Sequence, residues 1–385
     1  MTKFEELCTF DVLYKAFKQA RKGKRSKKQE AEYESSVLEN TLLLSESLLS
    51  SEYKPGAFET FYVYEPKKRL VQAPAFTDKV IQHALVDNYV YQAITHDFIY
   101  ENAASQKQKG IHFALDGLKR DLIDYHNKRK TSKGWVLKCD VRHFFASINH
   151  DILKLKLRSR IEDKRVLDLL YLYIDASREG LPLGYQTSQL FALLFLNKFD
   201  HFVKETLKIK YYGRYMDDFY LICESREYLK SCRTQIEDYM SHLGLELNEK
   251  TQIFPLQNGL DFLGFHTYIT ESGKVIRKLR RNSVKRLKAN IKYWRVAVPK
   301  GKITKAKVQE RFRAWDAHAA HGDTFSLRVK YAKQVSDILY EPVYICVPIK
   351  TSGKRQKRIK IGKTESERLA DWYLENVILK DDENE

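Results

Sequence analysis

The sequence predicts an α+β protein: an antiparallel sheet backed by helices, followed by a basic helical region. Three observations predict it. Short apolar runs separated by turn residues recur between residues 58 and 269 and alternate with stretches of helical periodicity. From 277 to 337 the texture turns basic and mostly helical. No internal repeat or long low-complexity linker interrupts this order.

The elements follow in sequence. Residues 10–20 and 29–50 read as helices, separated by the basic run RKGKRSKK and closed by EYKPG. FETFYVYEP (58–66) and KKRLVQAP (67–74) read as the two strands of a hairpin. Residues 77–96 form a helix with Val80, Ile81, Ala84 and Leu85 as its apolar stripe. Trp135-Val136-Leu137 is a buried strand that delivers Asp140 at its end. Helices are expected over 151–160 and 164–174. GLPLGYQTSQ (180–189) is a turn-rich loop opening a long apolar helix, 190–205. YYGRYMDDFYLIC (211–223) is a hairpin, and 226–243 is a helix. LELNEKTQIF (245–254) reads as strand, turn and strand, and LDFLGFHTYI (260–269) as a further hairpin strand. The tail from 340 reads as two short strands around SGKRQKR, an amphipathic helix and an acidic end.

Composition bounds the function. At 385 residues, 43% hydrophobic and 12% aromatic, the chain can bury a core in two or three lobes. A formal net charge of +18 favours a polyanionic partner, nucleic acid before a membrane surface. No apolar run approaches the roughly 20 residues that span a bilayer. The N-terminus MTKFEELCTFDVLY lacks the basic-then-apolar order of a secretory signal. The five cysteines, Cys8, Cys139, Cys223, Cys232 and Cys346, are widely spaced without a Cys-x-x-Cys, which argues against a disulfide framework or a zinc site. A cytoplasmic location is expected.

The chemistry concentrates at Tyr215-Met216-Asp217-Asp218. Two adjacent carboxylates between apolar strands repel each other and are costly to desolvate, and a hard cation such as Mg²⁺ relieves both costs. Alone, such a pair is an acidic hairpin tip. Asp140, presented from the end of another apolar strand, would complete a cage for two ions.

Five motifs stand in order: Asp140, Leu-Pro-Leu-Gly (181–184), Tyr-Met-Asp-Asp (215–218), Leu-Gly-Leu-x-Leu-Asn-x-Lys (243–250) and Asp-Phe-Leu-Gly (261–264). This series resembles the ordered motifs of reverse transcriptases over residues 55 to 270. The resemblance implies a right-hand polymerase. The N-terminal region and fingers would take 1–135, the palm with remaining fingers segments 136–270, a helical thumb 271–337 and a small C-terminal appendage 338–385. It implies RNA-directed DNA synthesis with two Mg²⁺ ions, for which Mn²⁺ can substitute, held by Asp140, Asp217, Asp218 and the carbonyl of Val141. The partners would be an RNA template, a DNA or RNA primer, dNTPs and an accessory protein, with no membrane.

The same resemblance assigns further roles. Lys67, Lys68 and Arg69 would grip the triphosphate. Phe145 would be the bulky gate against a ribose 2′-hydroxyl, with Leu183, Gly184 and Gln189 lining the nucleotide pocket. Lys250 would protonate departing pyrophosphate. Phe262, Leu263 and Gly264 would form the primer grip, where glycine permits close backbone approach. Arg277, Arg280, Arg281, Lys285 and Lys288 would contact nucleic-acid backbone, on a helix whose apolar face is Val284, Leu287, Ile291 and Trp294.

Many family members carry Pro-Gln-Gly where this chain has Pro182-Leu183-Gly184. That departure, and FRAWDAHAAHGDTFSLR at 312–328, resemble the reverse transcriptases of bacterial diversity-generating retroelements and related anti-phage defence lineages. A cognate non-coding or template-repeat RNA would then be the template, and copying would be less faithful. Two other readings use the same residues: a polymerase-like module that only binds RNA, and an enzyme making untemplated or repetitive DNA.

Overall fold

The computed structural model describes residues 1–25, 27–64, 68–348 and 356–373. The chain folds as two compact units, residues 1–121 with 133–255, and residues 122–132 with 256–385.

In the first unit, strands β1 (Glu59–Val63) and β2 (Arg69–Ala73) form an antiparallel hairpin. Strands β3 (Trp135–Asp140), β4 (Tyr211–Tyr215), β5 (Asp218–Cys223) and β6 (Gln252–Pro255) make an antiparallel sheet in the order β4-β5-β3-β6. The central β3 buries Val136, Leu137 and Cys139. The helix Arg226–His242 packs on this sheet through Leu229, Cys232, Ile236 and Met240, a stripe at helical spacing. Ser225 caps that helix by accepting the Tyr228 N–H at 3.1 Å. The helix Gln186–Phe195 is buried on every side from Leu190 to Phe195, as its unbroken apolar sequence requires. The helix Phe10–Ala20 packs on Phe76–Leu85, with Phe17, Tyr33 and Phe76 in aromatic contact.

Several expected elements are divided. The 29–50 helix breaks at Ser36, whose φ of −129° is not helical, into Lys28–Ser35 and Val37–Leu49. The 77–96 helix contains a π turn at Val86–Val90 between Phe76–Leu85 and Tyr91–Thr95. The long apolar helix starts earlier, at Gln186, whose N–H is taken by the Gln82 side chain, and is interrupted at Leu196. Of the strand-turn-strand expected over 245–254, only β6 forms. Leu247 makes a single bridge to Val141, formed by the Asn248 N–H on the Asp140 carbonyl at 2.7 Å and the Arg142 N–H on the Glu246 carbonyl at 2.8 Å. A helix at Ile111–Arg129, for which the sequence reading has no counterpart, supplies buried Leu115 and Leu118.

In the second unit, β7 (Leu260–Phe262), β8 (Phe265–Ile269) and β9 (Val275–Leu279) form an antiparallel sheet. The stretch expected as one strand therefore turns at Leu263-Gly264. Helices Arg281–Ala297, Lys305–Ala319 and Phe325–Leu339 follow. Their core holds Leu287, Ile291, Trp294, Val308, Phe312 and Val335. The antiparallel pair β10 (Val343–Pro348) and β11 (Gln356–Ile361) joins this core through Val343, Ile345, Ile359 and Ile361. Buried Asp316 accepts the Arg328 Nε–H at 2.7 Å and the Cys346 N–H at 2.8 Å, tying β10 to the helices. The basic turn between β10 and β11 lies largely outside the described residues. No helix among the described residues is long and apolar enough to cross a membrane.

Candidate active site

β3 and β5 run side by side, and their register sets Asp140 directly opposite Asp218. Like charges facing across a strand pair are destabilising, so the sheet holds a local excess of negative charge at one end. Asp217 sits in the loop that joins β4 to β5. Only Met216 and Asp217 separate the register partners Tyr215 and Asp218, so this is a two-residue hairpin. Met216 has φ +57°. A side chain in the left-handed region costs about 1–2 kcal/mol, and the first loop position of such hairpins commonly goes to glycine. The Val141 N–H donates to the Asp217 carbonyl at 3.2 Å, fastening the hairpin tip to the strand that carries Asp140.

Burial, and then the negative charge of Asp140, hold the Asp217 carboxyl above its ordinary range; Arg69 and Lys138 oppose that rise. Arg69, at the start of β2, thus lies within electrostatic reach of Asp217. Lys138, two residues before Asp140 on the same face of β3, pairs with the Asp218 carboxylate. Sequence reasoning gave Lys138 no role, although the period of two along a strand places it beside Asp140. Among the described residues no three His, Cys, Asp or Glu side chains stand close enough together to enclose a metal ion. In kind, however, the donors fit a hard divalent cation: they are carboxylate oxygens short of positive charge, and the Lys138 ammonium stands where cationic charge is wanted.

The other expected residues fall around this centre or apart from it. Lys68 lies with its ammonium 4.3 Å over the Tyr62 ring. Lys67 is outside the described residues. Phe144 fills the core, while Phe145 is half-buried in the 3₁₀ turn Phe144–Ser147, edge-on to Phe144 at 5.7 Å. The Phe145 carbonyl accepts the Leu181 N–H at 2.7 Å. The Leu183 carbonyl accepts the Gln72 N–H at 2.8 Å, which seats the 183–184 loop on β2. Gly184 has φ +132°, and a Cβ there would stand 2.5 Å from the Gln72 carbonyl oxygen. Gln189 accepts the Ser105 hydroxyl at 2.8 Å, so its amide is engaged on the protein side. Lys250 is exposed just past Asn248, whose side chain accepts its backbone N–H.

In the second unit, Phe262 pairs with Phe265 across the loop Leu263-Gly264, whose φ values of +47° and +89° match a type I′ turn. The space a Cβ would take at Gly264 is bounded by the His318 imidazole at 2.9 Å. Arg277 departs from the expectation of a solvent-facing cation. It is buried, donates Nη1–H to the His321 carbonyl at 3.0 Å, and its backbone N–H goes to Asp323. Arg280 is exposed and paired with Asp261 at 3.0 Å, and Arg281, Lys285 and Lys288 are exposed on or beside the Arg281–Ala297 helix.

Residues 54–267 match the family model described as reverse transcriptase (RNA-dependent DNA polymerase). The chain belongs to the reverse transcriptase family. Among relatives of this reverse transcriptase is protein YkfC of Escherichia coli (strain K12), 26% identical over 273 residues, covering 58% of this chain and 69% of YkfC. Another is the group II intron-encoded protein LtrA of Lactococcus lactis subsp. cremoris, 26% identical over 185 residues. That match covers 43% of this chain and 28% of LtrA, so the chain spans under a third of that relative's length. Among solved structures, apo telomerase from Candida Tropicalis, truncated from its C-terminal domain, gives a TM-score of 0.43 at 14% identity, covering 61% of this chain and 60% of that one. Telomerase from Candida albicans with a fragment of telomeric RNA gives 0.43 at 11% identity, covering 79% and 64%.

Proposed function

We propose that this chain copies RNA into DNA by nucleotidyl transfer at Asp140, Asp217 and Asp218. The observation that carries the reading is the facing of Asp140 and Asp218 across adjacent strands, with Asp217 in the joining loop. These three carboxylates and the Val141 carbonyl would hold divalent ions. Two such ions, when bound, supply Lewis acidity at the primer hydroxyl and at the leaving pyrophosphate.

The protein's own groups do the rest. Lys138 pairs with Asp218 and would yield that carboxylate to a bound cation. Arg69 and Lys68, on the exposed hairpin, draw the triphosphate toward the carboxylates. Phe145, half out of the core, stands against the sugar and excludes a 2′-hydroxyl by contact. Leu183 offers the incoming base no side-chain hydrogen bond, which fits error-tolerant copying. The exposed Arg280, Arg281, Lys285 and Lys288 bind template–primer backbone without reading sequence. With Leu183 in place of glutamine, the reading extends to a bacterial retroelement that diversifies a gene, or to an anti-phage system built on the same polymerase.

Primer extension on a defined RNA template tests the proposal. Wild-type protein extends the primer with Mg²⁺ or Mn²⁺, and Asp217→Asn with Asp218→Asn abolishes extension while template–primer binding survives. Wild-type protein that binds RNA but incorporates no deoxynucleotide with either ion refutes it.

A further inference from the structure

We infer that Arg214, locked by Asp200, is the positioning residue that sets the backbone of the Met216-Asp217 loop and so aims the Asp217 carboxylate. The inference rests on the polymerase reading above and names a residue that reading does not use.

Arg214 lies on β4, two residues before Met216. Both it and Asp200 are fully buried, at 0% exposure. Asp200 accepts Nε–H of Arg214 at 2.6 Å and also pairs with Nη2. The Tyr212 hydroxyl donates to the same carboxylate at 2.6 Å, so Asp200 is held from two sides. The remaining arm, Nη1, donates to the Met216 carbonyl at 2.9 Å. The backbone of Arg214 is fixed as well: its N–H reaches the Glu101 carbonyl at 3.2 Å, and its carbonyl accepts the Ala103 N–H at 3.0 Å.

A buried ion pair used only for stability is replaceable by apolar side chains of like volume. What apolar side chains cannot replace is the third contact. The Met216 carbonyl belongs to the peptide unit shared with Asp217, so its direction fixes the plane from which the Asp217 side chain departs. Met216 stands at φ +57°, where backbone persists only when its surroundings hold it. The planar guanidinium can serve the carboxylate on one edge and the carbonyl on the other; a lysine ammonium offers one point of charge and cannot span both. The arrangement therefore reaches from a buried anion to the half-buried loop at the carboxylate end of the sheet.

The test uses the full-length chain with template–primer and compares wild type, Arg214→Lys and Tyr212→Phe. Thermal unfolding and template–primer affinity are measured first. Single-turnover incorporation against dNTP concentration then separates maximal rate from nucleotide affinity. Binding of Mn²⁺, followed by electron paramagnetic resonance without turnover, reports on the carboxylates directly. For folded Arg214→Lys the maximal rate falls by about thirtyfold or more while dNTP and template–primer affinities stay within about threefold. Its Mn²⁺ affinity weakens by about fivefold or more, and Tyr212→Phe shifts rate and Mn²⁺ affinity the same way by a smaller factor. Wild-type maximal rate and Mn²⁺ affinity in folded Arg214→Lys overturns the inference, as does a loss confined to dNTP affinity. If Arg214→Lys does not fold, Tyr212→Phe decides on the same two readouts. Failure of the wild type to polymerise would instead count against the polymerase reading, and the Mn²⁺ titration would still decide the role of Arg214.

Discussion

Gly180→Ala is the substitution for which the structure gives the sharpest expectation. Gly180 has φ +59°, and a Cβ built there would stand 2.3 Å from the Phe145 carbonyl oxygen and 2.5 Å from the Ala146 Cα. Both are backbone atoms, so neither can swing aside as a flexible side chain would. The same backbone is tied in place: the His150 ring bonds the Gly180 carbonyl at 2.7 Å, and the Leu181 N–H bonds the Phe145 carbonyl at 2.7 Å. Alanine in the left-handed region costs about 1 kcal/mol, the overpacked contact about 1–3, and a strained or lost N–H···O bond about 1. The sum is about 3–5 kcal/mol, which in a unit of this size lowers Tm by roughly 10 °C. Gly244→Ala is the internal control. Gly244 has φ +70° with nothing within 4 Å of the added Cβ, so only the conformational cost of about 1 kcal/mol applies. Thermal unfolding followed by circular dichroism compares the two. Below its Tm, Gly180→Ala should also lose discrimination against ribonucleotides, because the displaced turn carries Phe145. Equal Tm losses in the two variants would refute the reasoning.

Two further expectations follow from the site and one from the Asp121 carboxyl. Phe145→Ala should raise ribonucleotide incorporation by about tenfold or more relative to deoxynucleotide, with little loss of stability because Phe144 is the ring in the core; single-nucleotide kinetics with paired rNTP and dNTP check this, and unchanged selectivity would remove the gate role. Leu183→Gln should lower the error rate on a defined RNA template, read by sequencing the products, and an unchanged error spectrum would separate Leu183 from fidelity. Burial, opposed by the Tyr220 hydroxyl at 2.8 Å and by Lys204, pushes the Asp121 carboxyl up to about 7. Its folded pKa is the raised one, so the stability it contributes is complete below the unfolded value near 4 and is lost as pH rises to about 7, amounting to a few kcal/mol at most. Asp121→Asn should flatten the denaturant midpoint across that window, and a persistent slope would assign the effect elsewhere.

The sheet and its carboxylates were legible because β3 and β5 are short and apolar, β3 ending and β5 beginning at an acid, so the alternation of strand residues identifies both. The β1–β2 hairpin was equally legible from its strand-forming residues on either side of a charged turn. Other features depend on contacts no local pattern encodes. Ser36 and Leu196 interrupt helices whose apolar stripes run on through the break. Residues 245–247 carry the composition of a strand, but their pairing stops at the one bridge between Leu247 and Val141. The Ile111–Arg129 helix has Leu115 and Leu118 at helical spacing, a signal that was available but diluted by charged neighbours. Arg277 reads as one of a row of surface cations, and only the tertiary fold turns it inward onto His321. The Asp200–Arg214 pair joins residues on separate elements and lay outside the reach of spacing arguments. The residues after 338 read as an appendage, whereas β10 and β11 complete the apolar core of the preceding helices.

The most direct test is a crystal of the chain with RNA template, DNA primer and an incoming dNTP, soaked in Mn²⁺ and measured at the manganese edge. Two anomalous peaks about 4 Å apart among Asp140, Asp217 and Asp218, with Lys138 withdrawn from Asp218, are what the account predicts. A ternary complex with nucleotide in place, no manganese between those carboxylates and Lys138 still on Asp218 would contradict it.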